Sequence, residues 1–208
     1  MMENLFIEKY CHIKNNKVFV DGKLAFAGEE TDGLKSFLKS LYRFLKPSYN
    51  KFFKMDEISK LGFLATEFLL EDVDISKYEE DVALIFSNSD STLITDTKHQ
   101  ESIDEDDNFF PSPSVFVYTL PNIMMGEISI RHKLKGENTF FIVENFNAEL
   151  LTNHINNLFL TNKAKAFIGG WVNLNFHSYE AFLYLVSKDG SATHSAEEIN
   201  RLYTNIEE

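Results

Sequence analysis

Few side chains in this sequence have the type and the spacing that catalysis or metal binding requires. The single cysteine, Cys11, lies in an apolar N-terminal stretch that predicts a strand, so we expect an ordinary buried thiol. None of the histidines has the spacing of a metal or acid–base site, and each is expected to be a surface or structural residue; the six are His12, His99, His132, His154, His177 and His194. We therefore expect no metal and no cofactor.

The acidic stretch 95–108 is the other candidate for ion binding. It lacks the alternating oxygen ligands and the turn glycine of a calcium loop, and Ile103 is its one apolar residue for burial. Its composition therefore predicts a mobile acidic loop.

Length and charge exclude several kinds of partner. With 208 residues, of which 44% are hydrophobic, the chain predicts a single domain that spans residues 1–208. A net charge of −12 repels a phosphate backbone and an anionic membrane surface alike, so neither nucleic acid nor membrane is an expected partner. The N-terminal residues do not have the pattern of a signal peptide. No run reaches the roughly 18–20 apolar residues that span a bilayer. The single cysteine is typical of a protein in a reducing compartment. These features predict a cytoplasmic protein.

Hydrophobic periodicity predicts strands that alternate with helices, which is the pattern of an α/β fold. Two N-terminal strands, 4–12 and 17–20, are expected around a turn at Asn15-Asn16. The predicted helices are 34–45, one that begins near Met55, 148–160 and one within 196–208. The predicted buried strands are 82–86, 140–143, 166–169 and 181–186, with Gly169 and Gly170 as a tight exit from the third.

Four short segments share the motifs of one known family. Residues 112–122 begin Ser-Pro-Ser-Val-Phe and end Pro-Asn, 126–130 are Gly-Glu-Ile-Ser-Ile, 136–138 are Gly-Glu-Asn, and 54–61 are Lys-Met-Asp-Glu-Ile-Ser-Lys-Leu. These segments resemble the β-ketoacyl synthases, and the resemblance covers residues 55–188. It corresponds to the N-terminal half of a synthase. The resemblance implies a layered thiolase-like half-domain with a mainly parallel five-stranded sheet and helices on both faces.

The position of the family's nucleophile carries an asparagine in this sequence. Counting from Gly136 without a gap places Glu144-Asn145 where the synthases have an Ala-Cys pair. An amide cannot form the thioester that the family mechanism requires. The family's two catalytic histidines and its lysine lie in the half that this chain does not match. The resemblance therefore implies that the chain has no catalytic residues and is not an enzyme on its own.

Two interpretations of Asn145 stay open. It caps the helix that begins there, or its amide imitates an acylated cysteine, as a glutamine does in the chain-length-factor subunits of polyketide synthases. Phe116 and the Met124-Met125 pair offer a lining for an acyl tunnel, although such residues at helical spacing are also typical of a core. We predict an acyl-binding site of Asn145, Phe116 and Met125, with core packing as the alternative for the last two.

The resemblance implies a non-catalytic ketoacyl-synthase-like protein that acts beside an active synthase in fatty-acid, aryl-polyene or polyketide assembly. Two alternatives stay open: a chain that contributes a half-site to an active 3-oxoacyl carrier-protein synthase complex, and a module that binds an acyl chain or an acyl carrier protein. The implied partners are a ketoacyl synthase and an acyl carrier protein, in a homo- or hetero-oligomer. As in the family, strand 140–143 and helix 114–125 are expected at the interface.

Overall fold

The computed structural model describes residues 4–31, 33–104 and 111–205, which form one sheet with helices on both faces. The strands are β1 Phe6–Lys14, β2 Lys17–Val20, β3 Lys23–Ala27, β4 Val82–Asn88, β5 Asn138–Ile142, β6 Ala166–Leu174, β7 Tyr179–Ser187 and β8 Ala192–Thr193. The helices are α1 Leu34–Leu45, α2 Glu57–Leu70, α3 Leu93–Glu101, α4 Pro113–Val117, α5 Ile123–His132, α6 Ala148–Leu160 and α7 Ala196–Thr204. None of these helices is long and apolar enough to cross a membrane.

Five strands form the centre of the sheet, in the order β5-β4-β6-β7-β1. β4 pairs in parallel with β5 and β6, whereas β7 is antiparallel to both of its neighbours, β6 and β1. Four of these five strands therefore run in one direction, which confirms the predicted mainly parallel core. Beyond β1 the sheet continues into β2 and β3, and β8 also pairs with β1, so the described sheet has eight strands rather than five.

The alternating side chains of β4 show that both faces of the sheet are covered. Val82, Leu84 and Phe86 belong to the larger core cluster, which includes residues of α1, α2 and α5. Ala83 and Ile85 belong to the second cluster, which includes residues of α6 and α7. A strand buried on both faces needs a continuous apolar run, and this is why the β4 sequence has no polar alternation.

The central helix on the first face is α2, which begins at a capped and buried end. Asp56 precedes the helix, and its carboxylate accepts a 3.0 Å hydrogen bond from the Ser59 backbone N–H. Its side chain also accepts a 2.6 Å hydrogen bond from the Thr95 hydroxyl. Helix α2 packs against both α1 and α5, so the predicted helix near Met55 is confirmed as the middle of this layer.

The predicted interface helix 114–125 is wrong as a single element. Residues Pro113–Val117 form α4 and Ile123–His132 form α5, with a non-helical segment between them. Pro121 lies in that segment, has no N–H to donate, and disfavours helical geometry at Leu120. The two helices can therefore present different faces to the solvent.

The predicted acidic loop 95–108 is also wrong in its first half, because α3 continues to Glu101. This helix has no apolar stripe, which explains why periodicity missed it. Ile94 is its one residue packed against the first core cluster, and polar contacts with the start of α2 add to this: the buried Thr95 hydroxyl donates to Asp56, and the Lys98 ammonium lies 3.0 Å from Glu57. Residues 105–108 of the predicted loop lie outside the described residues.

The two glycines of β6 do not end the strand as predicted, since β6 continues to Leu174. A Cβ on Gly169 would lie 2.7 Å from the Tyr184 ring, and one on Gly170 would lie 2.1 Å from the Phe182 carbonyl oxygen. The glycines therefore allow β7 to approach closely. At the N-terminus, Asn15 and Asn16 both have positive φ and form the predicted turn between β1 and β2, whereas β3 was not predicted.

Candidate functional site

The topology of the sheet creates a crevice at the carboxyl ends of the parallel strands. After β4 the chain continues into α3, whose residue Ile94 packs against the first core cluster. After β5 the chain continues into α6, whose residues belong to the second cluster. Because neighbouring strands send their chains to opposite faces, the two loops separate and leave room for a ligand or partner between them.

A cleft of about 430 Å³ occupies this position and is open to solvent. It is formed by the β1–β2 turn, the loops after β4 and β5, the β6–β7 hairpin and α7. The lining residues are Lys14, Asn15, Ser89, Glu144, Asn145, Phe146, Trp171, Asn173, His177, Ser178, Tyr179, Glu180 and Tyr203. Most of these side chains are polar, so the cleft differs from an apolar acyl tunnel.

Asn145 lies in the loop between β5 and α6, where it is exposed and lines the cleft. The interpretation of Asn145 as a helix cap is wrong. Asn147 caps α6 instead, because its side-chain oxygen accepts a 2.9 Å hydrogen bond from the Leu150 backbone N–H. At the other end of the loop, the Val143 backbone N–H donates a 2.8 Å hydrogen bond to the Asn88 carbonyl of β4. The amide of Asn145 is therefore left free of a capping role.

Phe146 holds this loop against the body of the protein. Its ring centroid lies 4.2 Å from that of Tyr203, 5.7 Å from that of Phe182 and 6.3 Å from that of Trp171. These edge and tilted contacts are favourable aromatic geometries. The loop after β5 is therefore fixed by an apolar anchor immediately after Asn145.

A cluster of polar side chains surrounds Asp90 in the loop after β4. The Asp90 carboxylate accepts 2.7 Å hydrogen bonds from the Ser89 hydroxyl and the Asn173 amide, and a 3.3 Å bond from the Asn175 amide. Burial alone would raise the pKa of Asp90, but these donors outweigh it and hold the pKa below its ordinary value. Asp90 therefore stays ionised and joins the β4 loop to the β6–β7 hairpin.

Glu180 is the centre of a charged network along one wall of the cleft. The donors around its carboxylate are His12 Nε2 at 2.8 Å, Lys14 Nζ at 2.9 Å and the Tyr203 hydroxyl at 2.7 Å. Burial by itself would raise the pKa of Glu180, but these three contacts lower it to about 2. A carboxylate with so low a pKa is a poor general base near neutral pH, so this network has the character of a structural support.

The described residues offer no activated nucleophile in the cleft. Cys11 is fully buried in β1, burial raises the pKa of its thiol, and it does not line the cleft. The Ser89 hydroxyl donates to Asp90 rather than to a histidine. Among residues 4–31, 33–104 and 111–205, no group of three His, Cys, Asp or Glu side chains is arranged to bind a metal ion.

The structure does not bring the three predicted acyl-binding residues together. Only Asn145 lines the cleft. Met125 is buried in the first core cluster, which fits its alternative role in packing. Phe116 lies on α4, is 56% exposed, and has its ring 5.3 Å from that of His99.

Sequence reasoning missed the residues that build the walls of the cleft, above all Asp90, Asn173 and Glu180. The sequence contains a weak indication of a site at Asp90, because polar residues directly follow the apolar run of β4, and ligands often bind at the carboxyl ends of parallel strands. Glu180 gave no such signal, because its partners on β1 and α7 are far away in the sequence.

Comparison with known proteins supports the fold through structure and not through sequence. No protein-family model matches this chain, and no curated protein sequence matches it. The ishigamide ketosynthase/chain length factor is similar over 88% of this chain, with 15% identity and a TM-score of 0.66. The ketosynthase ApeO in complex with its chain length factor ApeC, from Xenorhabdus doucetiae, matches over 96% of this chain, with 11% identity and a TM-score of 0.57. The AntDE:AntF complex of a type II polyketide synthase acyl-carrier protein with its ketosynthase matches over 89%, with 11% identity and a TM-score of 0.60.

These likenesses define the class of fold. The chain has the mixed α/β fold of thiolase-like ketosynthase half-domains. It spans 62% of the matched chain in the ishigamide and AntDE:AntF structures, and 90% of the matched chain in the ApeO–ApeC structure. With identities of 11–15% among these three matches, the likeness concerns the fold alone.

Proposed function

We propose that this chain is a non-catalytic, ketosynthase-like subunit that acts beside an active ketosynthase in fatty-acid, aryl-polyene or polyketide assembly. The observation that carries the proposal is the loop between β5 and α6. The resemblance implies that a synthase has its nucleophile in this loop, where this chain has the exposed amide of Asn145. Cys11, the one thiol, is buried elsewhere and cannot replace it.

The edge of the sheet supports a role as a subunit. Among the described residues, β5 pairs only with β4, so its outer backbone groups are available to a further strand. Ile142, at the end of β5, is 58% exposed. Helix α5 adjoins β5 through a 3.3 Å hydrogen bond from the Asn138 amide to the Ser129 hydroxyl, and the next residue, Ile130, is 59% exposed. We name Ile130, Ile142 and the outer side of β5 the β5 edge.

Further apolar side chains are exposed on α4 and the segment after it. Phe116 is 56% exposed, Val117 44% and Leu120 51%. Exposed apolar groups gathered on adjoining elements are typical of surfaces that a partner covers. The predicted interface helix is therefore two helices, but both carry exposed apolar residues suited to an interface.

The structural neighbours support the kind of partner. The ApeO–ApeC structure is a ketosynthase in complex with its chain length factor, and this chain corresponds to nearly the full length of the matched chain. The AntDE:AntF structure holds an acyl-carrier protein with its ketosynthase. We infer that the partner here is a ketosynthase and that an acyl carrier protein delivers chains to the complex.

The open cleft favours a second candidate, in which this chain contributes a half-site to the partner's reaction. Asn145 is exposed at its rim, and a partner seated over the cleft would bring its substrate within reach of the amide. The neutral amide of Asn145 would then orient or stabilise a bound acyl group by hydrogen bonding. The non-catalytic subunit requires no such contact, so the two candidates differ in how they depend on Asn145.

Reconstitution tests the proposal. Acyl and malonyl carrier-protein substrates are given to this chain alone, to a partner ketosynthase alone, and to the mixture, with products followed by mass spectrometry. We expect no product from the chain alone, and a change in the rate or product length when it joins the ketosynthase. Condensation by the isolated chain would refute the non-catalytic assignment, and a mixture identical to the ketosynthase alone would refute the partnership.

Asn145→Ala separates the two candidates, with Asn153→Ala as the matched control because Asn153 is an exposed amide within α6. For a non-catalytic subunit, both variants leave the turnover of the mixture unchanged. A loss of kcat with Asn145→Ala alone, at unchanged complex affinity, supports the half-site instead.

A further inference from the structure

A groove on the opposite face of the sheet from α6 has the features of a ligand site. It lies between α1, the 3₁₀ turn Asn50–Lys54 and the start of α2, and has a volume of about 250 Å³. Its apolar lining comes from Leu38, Phe52 and Phe53. Phe53 is 61% exposed, so its ring offers an open apolar surface at the mouth of the groove.

The rim of the groove is positive although the chain as a whole carries a net charge of −12. Three lysines line it, Lys35, Lys39 and Lys60, against the single carboxylate of Glu57. That carboxylate is already neutralised, because Lys98 Nζ lies 3.0 Å from it and Lys35 Nζ lies 3.4 Å from it. The groove therefore has positive charge in excess.

Lys60 is the cation best placed to bind a ligand. It is half-buried, forms no ion pair with a described residue, and has its ammonium 6.0 Å from the centroid of the Phe52 ring. Burial lowers the pKa of this ammonium and outweighs the attraction of the Glu57 and Asp56 carboxylates, so the net effect of its surroundings disfavours the charge. An anion in the groove would supply the missing partner.

We propose that this groove binds a small carboxylic acid with an apolar body, whose carboxylate pairs with Lys60 and whose body packs on the exposed ring of Phe53. The size limits the ligand: at about 30 Å³ per water-sized group, the groove holds about eight such groups. Pockets for drug-sized ligands are larger, at roughly 300–1,000 Å³. The proposed site lies apart from Asn145 and is independent of the partnership with a ketosynthase.

Calorimetric and ¹H–¹⁵N NMR titrations of the full chain with benzoate test the proposal. Benzyl alcohol has a similar body without the charge, and acetate has the charge without the body. We expect saturable benzoate binding with shifts confined to residues 35–39 and 52–60, and affinities at least about tenfold weaker for both controls, because a charged hydrogen bond and ring burial each contribute on that scale. Equal binding of benzyl alcohol, or no saturable benzoate binding, would overturn the proposal.

Variants localise the site. Lys60→Gln keeps most of the aliphatic stem and should weaken benzoate binding about tenfold, and Phe53→Ala should also weaken it. Lys23→Gln, an exposed lysine on β3, is the control and should leave the affinity unchanged. Equal losses in Lys60→Gln and Lys23→Gln would show a general charge effect and refute the site. Tight binding of an acidic peptide through Lys60, with benzoate inert, would refute the small ligand.

Discussion

Phe146 and Tyr203 pack with their ring centroids 4.2 Å apart, and this contact joins α7 to the loop that carries Asn145. Tyr203 in turn donates a 2.7 Å hydrogen bond to Glu180 on the wall of the cleft. The position of Asn145 thus depends on the Phe146 ring and on the half-buried Glu180 carboxylate, which are far apart in the sequence.

Phe146→Ala should destabilise the protein by about 2 kcal/mol. Truncating a fully buried Phe costs about 3–5 kcal/mol, and Phe146 is only half-buried, so a smaller loss is expected. Phe176→Ala is the control, because Phe176 is 61% exposed and should change stability by less than about 0.5 kcal/mol. Urea unfolding of the two variants measures the difference, and equal effects would contradict an anchoring role for Phe146.

Glu180 should make the stability depend on acid pH. Its pKa in the folded protein is about 2, against an ordinary value of 4.5, so the unfolded chain binds a proton more readily. The stabilisation is therefore complete above pH about 4.5 and is lost as the pH falls towards about 2. At about 1.4 kcal/mol for each pKa unit, the contribution is about 3 kcal/mol.

Glu180→Gln tests this pH dependence, since the variant cannot lose a charge. The difference between the unfolding free energies of the wild type and the variant should shrink as the pH falls from 5 towards 2. Glu144→Gln, an exposed residue of the same cleft, should leave the wild-type profile unchanged. Parallel profiles for the wild type and Glu180→Gln would show that the carboxylate has no such role.

The hydrophobic pattern of the sequence predicted those helices and strands whose bounds depend on neighbouring residues in the chain. Helix α1 begins and ends as its apolar stripe and Pro47 indicate, and the unbroken apolar run of β4 marks a strand buried on both faces. Helix α3 could not be predicted in this way, because Thr95 is held by Asp56 from another helix. The cleft wall around Glu180 was unpredictable for the same reason, since it depends on tertiary contacts.

Asn145→Cys should not restore condensation. The residue is exposed, so the new thiol should react with iodoacetamide, and intact mass analysis would show one added group. No condensation product should form, because the resemblance implies that the two histidines of the family mechanism lie in the half that this chain does not match. A stable acyl adduct near Asn145 on the wild-type chain would contradict the absence of a nucleophile.

The β5 edge provides the most direct test of the proposed partnership, and the structure improves the choice of probe. Phe140, a natural choice within the predicted interface strand, is half-buried against the core, so a charge there would also damage the fold. Ile142 is 58% exposed and offers a cleaner site. Leu160 is 64% exposed at the end of α6 and serves as the matched control.

The deciding measurement is sedimentation velocity of the wild type, Ile142→Asp and Leu160→Asp at micromolar concentration, each alone and with a partner ketosynthase. We expect the wild type and Leu160→Asp to form a complex, and Ile142→Asp to bind at least about tenfold more weakly, because an unpaired charge would be buried at the interface. A wild-type chain that stays monomeric with the ketosynthase present, or an Ile142→Asp variant that binds as tightly as Leu160→Asp, would contradict the account.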